Sequence, residues 1–195
     1  MLLPAIAGCF DITVDELLQV EKIDERGIYE LYVKEVNSDY QIYRYKILTR
    51  TQGYIMKSDP YAFYGELRPN TASKTFDLSS YKFNDEKWMS KRTKGEHAPI
   101  NIYEIHIGSF LRNLDGTWMS YEQVAPLLVK YLKKHHFTHV EILPLMEHPF
   151  DGSWGYQCSQ YFSITSRYGN PNQLKYLIDL LHQNNIGVII DFVPV

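Results

Sequence analysis

The sequence predicts a β-rich unit followed by an α/β unit, and three observations carry that expectation. Residues 1–95 hold short runs of β-branched and aromatic residues between turn clusters. After Pro99 the pattern becomes apolar strand, amphipathic helix, strand, helix, strand. Between the two lies a polar, charged stretch, Lys82 to His97, which reads as a linker. The expected organisation is a partial β-sandwich over 1–95 and an α/β unit over 99–195. Repeated β-α units imply parallel strands with right-handed crossovers, as in an open doubly wound sheet or the opening third of an eight-stranded barrel.

In the first unit, Ile28 to Val33 and Tyr40 to Leu48 read as strands, bounded by Glu25-Arg26-Gly27 and Asn37-Ser38-Asp39. Gly53 to Met56, followed by Asp59-Pro60, closes a small antiparallel, sandwich-like unit. In the second, Ile100 to Ile107 is the first strand. Ser120 to His136 is a helix: Ser120 and Gln123 form a capping box, and Val124, Leu127, Leu128, Tyr131 and Leu132 share a face. Pro126 removes one hydrogen bond inside it and predicts a kink. Basic residues at its end offset the helix dipole. His139 to Leu145 is the second strand. Asn170 caps the next helix with Pro171 at its first position, and Leu174, Leu177, Ile178 and Leu181 face one way. Ile186 to Val193 is the third strand, whose run Gly187-Val188-Ile189-Ile190 suits burial on both faces.

Composition narrows the function classes. The chain has 195 residues, 45% hydrophobic and 22% charged, so it is globular and holds one domain or two small ones. Twenty basic residues against 23 acidic ones, with no basic stripe, argue against nucleic-acid partners. Sixteen tyrosines suit carbohydrate surfaces, sheet edges or interfaces, and composition does not choose between them. Cys9 and Cys158 show neither disulfide nor metal spacing, which fits a reducing cytoplasm. Ile6-Ala7-Gly8-Cys9 has the form of a lipoprotein box but lacks a basic flank, and no apolar run is long enough to span a membrane.

Both parallel architectures place ligands at the carboxyl ends of their strands. The segment from Met146 to Asn170 follows the second strand and reads as a long loop, a length that usually signals function. It carries Phe150, Trp154, Tyr156, Tyr161, Phe162 and Tyr168 with Asp151 and Gln157, a set able to stack on a sugar ring and bind its hydroxyls. The alternative is a satellite core folded over its own aromatics. Asp191 ends the third strand, either in a site or as a cap. Glu104 and His106 share a strand face, where a satisfied polar pair outweighs an acid–base pair. His135, His136 and His139 straddle a helix end without a further ligand, so no metal site is expected. Nucleophile-elbow, Walker and G-x-G-x-x-G patterns are absent from the sequence.

Several stretches resemble the bacterial 1,4-α-glucan branching enzymes of the α-amylase clan. Ile102-Tyr103-Glu104-Ile105-His106-Ile107-Gly108-Ser109-Phe110 is similar to their first barrel strand, and Thr138 to Leu145 to their second. The run Glu147-His148-Pro149-Phe150-Asp151-Gly152-Ser153-Trp154-Gly155-Tyr156-Gln157 is the most specific match. Ile190-Asp191-Phe192-Val193-Pro194 is similar to the clan's first signature motif. Lys57 to Phe63 and Leu67 to Ser73 resemble the end of the clan's β-sandwich glucan-binding module.

The resemblance implies a (β/α)8 barrel, represented by its first three strands and two helices. It implies that Tyr156 stacks on the glucosyl ring at the cleavage subsite, that Asp191 orders that subsite, and that Trp154 and Gln157 shape the same wall. The family cleaves an α-1,4-glucan with retention, through a carboxylate nucleophile and an acid–base Glu, and passes the segment to a 6-hydroxyl. Glycogen is the implied partner, and that chemistry requires neither cofactor nor metal. The catalytic carboxylates belong to later motifs than those present, so the sequence reads as an N-terminal fragment without transferase activity of its own. His136 stands where the family has glycine before the second strand, which requires a non-glycine left-handed cap. The Trp usual near Phe10 to Asp15 is lacking. A non-catalytic glucan-binding remnant, or a debranching or trehalose-releasing hydrolase of the same clan, are the alternatives.

Overall fold

The computed structural model describes residues 21–24, 28–30, 40–92 and 99–193. Cys9, the Phe10–Asp15 stretch, the turns at 25–27 and 37–39, the remainder of the 28–33 run and Pro194 lie outside them. Strand β1 (Glu21–Asp24) pairs antiparallel with β2 (Ile28–Glu30). The run from Tyr40 is not one strand. It breaks at Arg44 into β3 (Ile42–Tyr43) and β4 (Tyr45–Thr49), which enter different sheets. Strand β4 forms a hairpin with β5 (Gly53–Lys57), whose turn uses Gly53 at φ 69°.

Next come β6 (Tyr64–Gly65) and β7 (Ser73–Lys74), then the short helix α1 (Glu86–Lys91). The expected linker is therefore partly structured and docked. Beyond it lie β8 (Ile102–Ile105), the turn-like α2 (Ile107–Phe110), α3 (Tyr121–Lys134), β9 (His139–Ile142), β10 (Met146–Glu147), β11 (Gln160–Ile164), α4 (Pro171–Gln183) and β12 (Gly187–Ile190).

Strands β8, β9 and β12 form a parallel sheet with β9 in the centre. Helices α3 and α4 cover one face of it. Tyr121, Val124, Leu128 and Leu132 of α3 meet Leu174, Leu177 and Leu181 of α4, together with Val140 and Ile142 of the central strand. Both helices start on reciprocal caps. Ser120 Oγ accepts from the Gln123 amide while Gln123 Oε1 accepts from the Ser120 amide, and Asn170 and Gln173 do the same. Leu127 departs from the expected apolar face and is exposed, while Ala125 and Val129 are buried in its place. Helix α3 runs unbroken through Pro126. His136 takes the left-handed cap at φ 59°, as the missing glycine requires.

The first half does not complete its main sheet alone among the described residues. Its main sheet has the order β10-β11-β6-β7-β3, so two strands from the second half complete it, and β11 runs parallel to β6. The Met146–Asn170 segment is correspondingly not a structureless loop. It contains β10, β11 and two 3-10 turns.

The docked linker straps α4 through polar contacts. Asp179, buried on that helix, accepts from Tyr81 Oη at 2.8 Å and from the Asn84 amide at 3.0 Å. His182 Nδ1 lies 2.7 Å from Asp85 Oδ2, with Trp88 stacked on the imidazole. Ile189 and Ile190 are exposed, unlike the two-sided burial expected of the third strand. Among the described residues, no helix is long and apolar enough to cross a membrane.

Candidate functional site

The carboxyl ends of β8, β9 and β12 define the site. Hydrogen bonds from the Leu143 amide to Ile105 O and from the Asp191 amide to Ile142 O carry the parallel ladder one step past the strands. Asp191 is thereby fixed at the rim. In register, Glu104, Glu141 and Ile189 lie side by side on the face turned away from the helices, one layer below.

Tyr156 reaches this rim from the segment after β10. Its phenol donates to Asp191 Oδ2 at 2.8 Å, joining residues 35 positions apart. Gly155, just before it, has φ 94°, and a Cβ there would collide with the carbonyl oxygen of Pro144. Only glycine lets the chain pass so close to the end of β9 and deliver the tyrosine. The hydrogen bond to Asp191 raises the Tyr156 pKa first of all. Desolvation, then the charges of Asp191, Glu104 and Glu141, push the same way.

Trp154 is in the left-handed region at φ 55° and half exposed, with its indole stacked on His106 at 5.8 Å. Gln157 is exposed beside Tyr156. Phe150, Tyr161 and Phe162 are also exposed, and Phe162 stacks between Tyr61 and Phe192. Tyr168, in contrast, is buried against Tyr121 and belongs to the core. His106 caps α2 and binds Ser109 Oγ at 2.7 Å, whereas Glu104 is exposed, so these two do not form a pair.

Asp151 is engaged in ion pairs with two arginines. It accepts from Arg68 Nε at 2.6 Å and from Arg167 Nε at 2.9 Å. Arg167 is buried and donates through Nη1 to the buried Glu147 at 2.8 Å. Glu147 also accepts from the Ser166 amide and from Thr165 Oγ1. Sequence reasoning missed this network. A charged residue in an aromatic-rich segment is a faint signal, and its partner Arg68 lies 83 positions from Asp151. Among the described residues, no group of three or more His, Cys, Asp or Glu side chains is arranged to hold a metal. The rim thus offers an exposed aromatic wall, a phenol–carboxylate pair and an amide, which is binding chemistry for a polyhydroxylated ring.

Residues 127–195 match the profile of the alpha-amylase catalytic domain. Among curated proteins, the chain is 46% identical over 191 residues to the 1,4-alpha-glucan branching enzyme GlgB of Fusobacterium nucleatum, covering 97% of this chain and 31% of that one. The GlgB enzymes of Geobacillus stearothermophilus and Bacillus subtilis are 46% and 43% identical, again over 97% of this chain and 30% of theirs. In fold, the chain is similar to a Salmonella typhimurium protein proposed to be an alpha amylase, with a TM-score of 0.65 at 22% identity. That match covers 90% of this chain and 28% of the other. The pneumococcal glycogen-degrading virulence factor SpuA gives a TM-score of 0.62 at 20% identity, over 88% of this chain and 22% of its own. The chain spans about a third of the length of the curated relatives it matches, and its likeness to 1,4-α-glucan branching enzymes runs along almost all of its own length.

Proposed function

We propose that this chain forms the N-terminal part of a 1,4-α-glucan branching enzyme and supplies one wall of its donor-glucan site. The observation that carries the reading is the Tyr156–Asp191 hydrogen bond at the carboxyl rim of the parallel sheet. A parallel α/β sheet or barrel binds its ligand at that rim. Tyr156 offers its ring to the glucosyl C–H face while Asp191 holds the phenol and takes sugar hydroxyls. Trp154 and Gln157 extend the wall. The reaction is cleavage of an α-1,4 bond with retention and transfer to a 6-hydroxyl of glycogen. It needs a nucleophile and an acid–base carboxylate that these four residues do not provide.

Residues 1–95 are, in this reading, a partial β-sandwich glucan-binding module, and 99–195 the opening of the catalytic barrel. The setting is the cytoplasm, the partner is an α-1,4-glucan, and neither metal nor organic cofactor enters the chemistry. The test is calorimetric binding of a long maltooligosaccharide to the protein and to its Tyr156→Ala variant. Loss of one stacking and hydrogen-bonding side chain from a site is expected to weaken binding by about tenfold. Equal binding by both proteins, with the variant folded by circular dichroism, would place the glucan elsewhere. For the activity, the chain alone incubated with amylose is expected to produce no α-1,6 linkages, and branches that a debranching enzyme releases would overturn that reading.

A further inference from the structure

Arg68 reaches from the first half of the chain into the turn that presents Tyr156. It sits in the connection between β6 and β7, whose shape is fixed from inside. The Glu66 amide donates to Ala72 O at 2.9 Å, and the Glu66 carboxylate accepts from the Ala72 amide and from Asn70 Nδ2. From that loop the Arg68 guanidinium holds Asp151 with two donors, Nε to Oδ1 at 2.6 Å and Nη2 to Oδ2. A two-point fork fixes the plane of a carboxylate as well as its position. The Trp118 ring, 5.5 Å away, backs the guanidinium. Arg167 meets Oδ1 of the same carboxylate, which leaves Oδ2 to Arg68 among the described residues.

Asp151 opens a series of tight turns that ends at the wall. The Trp154 amide donates to Asp151 O at 3.1 Å, and the Tyr156 amide to Ser153 O at 3.0 Å. Trp154 is left-handed and Gly155 lies against the Pro144 carbonyl, so the backbone between Asp151 and Tyr156 has little slack. The segment is pinned at both ends, by the two arginines on Asp151 and by Asp191 on the Tyr156 phenol. A reorientation of Asp151 is therefore passed on to the tyrosine ring instead of being absorbed on the way.

We propose that Arg68 is a positioning residue for the Tyr156 wall: by orienting Asp151 it sets the pose of the tyrosine ring, and through it the first half tunes how tightly the rim holds a glucan. The effect on affinity rests on the glucan reading above, whereas the effect on the pose does not. The pair is partly exposed, with side chains 37% and 42% accessible. Ion pairs of that kind shift an equilibrium by about fivefold at most, which bounds the influence of Arg68.

Arg68→Met keeps an apolar stem of similar length and removes the fork. Tyr81→Phe is the comparison, because it removes a hydrogen bond between the halves, to Asp179, that lies away from the turn. Two quantities are read in each folded variant: the titration midpoint of Tyr156 by ring-labelled tyrosine NMR, and the affinity for a long maltooligosaccharide by calorimetry. A residue that merely joined the halves would lower the urea midpoint and leave the Tyr156 titration in place. In Arg68→Met the Tyr156 midpoint should fall as the bond to Asp191 loosens, and glucan binding should weaken about threefold. Tyr81→Phe should move neither. A Tyr156 midpoint unmoved by Arg68→Met, an equal shift in Tyr81→Phe, or glucan affinity that Arg68→Met leaves unchanged would overturn the proposal. If the unmodified protein binds no glucan while the midpoint falls in Arg68→Met alone, the glucan reading fails and the positioning role of Arg68 is supported.

Discussion

At the scale of single residues, the phenol of Tyr156 is the most informative group in the chain. It donates to Asp191, and the same carboxylate together with Glu104 and Glu141 makes its ionisation unfavourable. Tyrosines ordinarily titrate near 10, so Tyr156 should ionise above that value. Asp191→Asn should bring it back down, because the substitution removes both the strongest acceptor and the nearest negative charge. Ring-labelled tyrosine NMR, with Tyr156→Phe to assign the signal, measures this directly. A titration midpoint indifferent to Asp191→Asn would mean that the bond is not formed in solution. Tyr156, Asp191, Trp154 and Gln157 could be singled out from the sequence because each sits in a short contiguous motif, and the structure brings the first two into a hydrogen bond. Arg167, Glu147 and Arg68 could not be, because ion pairs spanning tens of positions leave no local spacing to read. The two arginines that Asp151 binds were hidden for the same reason, one of them 83 positions away.

At the scale of elements, α3 and α4 hold the parallel sheet in position, and their packing sets the cost of disturbing it. Leu128 is fully buried between the two helices and the sheet. Its truncation to alanine should cost about 2–5 kcal/mol, the range for a leucine removed from a rigid core. Ser120→Ala removes the acceptor for the Gln123 amide at the start of α3 and should cost about 1 kcal/mol. Urea unfolding of both variants gives the comparison, and a Leu128→Ala loss no larger than that of Ser120→Ala would contradict this packing. These helices were readable from the sequence because caps and a 3.6-residue period are local signals. Helix α3 continues through Pro126, held by its packing against α4 and the sheet. The segment from Met146 to Asn170 escaped recognition because its strands are short and pair far away. Ile164 of β11 lies beside Tyr64 of β6, and Ser163 Oγ donates to Ala62 O at 2.7 Å. Pairing at that sequence distance is a tertiary fact, which periodicity within a window does not encode.

At the scale of the whole molecule, the two halves are joined by polar contacts more than by a shared apolar core. The core cluster draws on residues from Ile105 onward. Across the junction run Gln160 Nε2 to Thr71 O, Ser166 Oγ to Gly65 O, Tyr81 Oη to Asp179, and the Arg68–Asp151–Arg167 bridge. Such a junction is sensitive to charge, and acid is the way to probe it. Burial alone would raise the Asp151 pKa, but hydrogen bonds from Arg68 and Arg167 and their positive charges outweigh it, leaving the carboxyl below the usual range. A carboxylate depressed in the folded state adds stability above its unfolded pKa of about 3.9, and that increment disappears as pH falls through the folded value. Its side chain is 42% exposed, so solvent screening limits the increment to about 1 kcal/mol or less. Arg167→Met should cost more, about 3–5 kcal/mol, because it leaves Glu147 buried without its cation. Urea midpoints measured between pH 3 and 7 separate the two effects. Asp151→Asn should lower the midpoint at neutral pH by the smaller amount and flatten its decline below pH 4, whereas Arg167→Met should lower the neutral-pH midpoint by the larger amount. An Asp151→Asn profile running parallel to the wild type into acid would mean that the bridge between the halves carries no acid-linked stability.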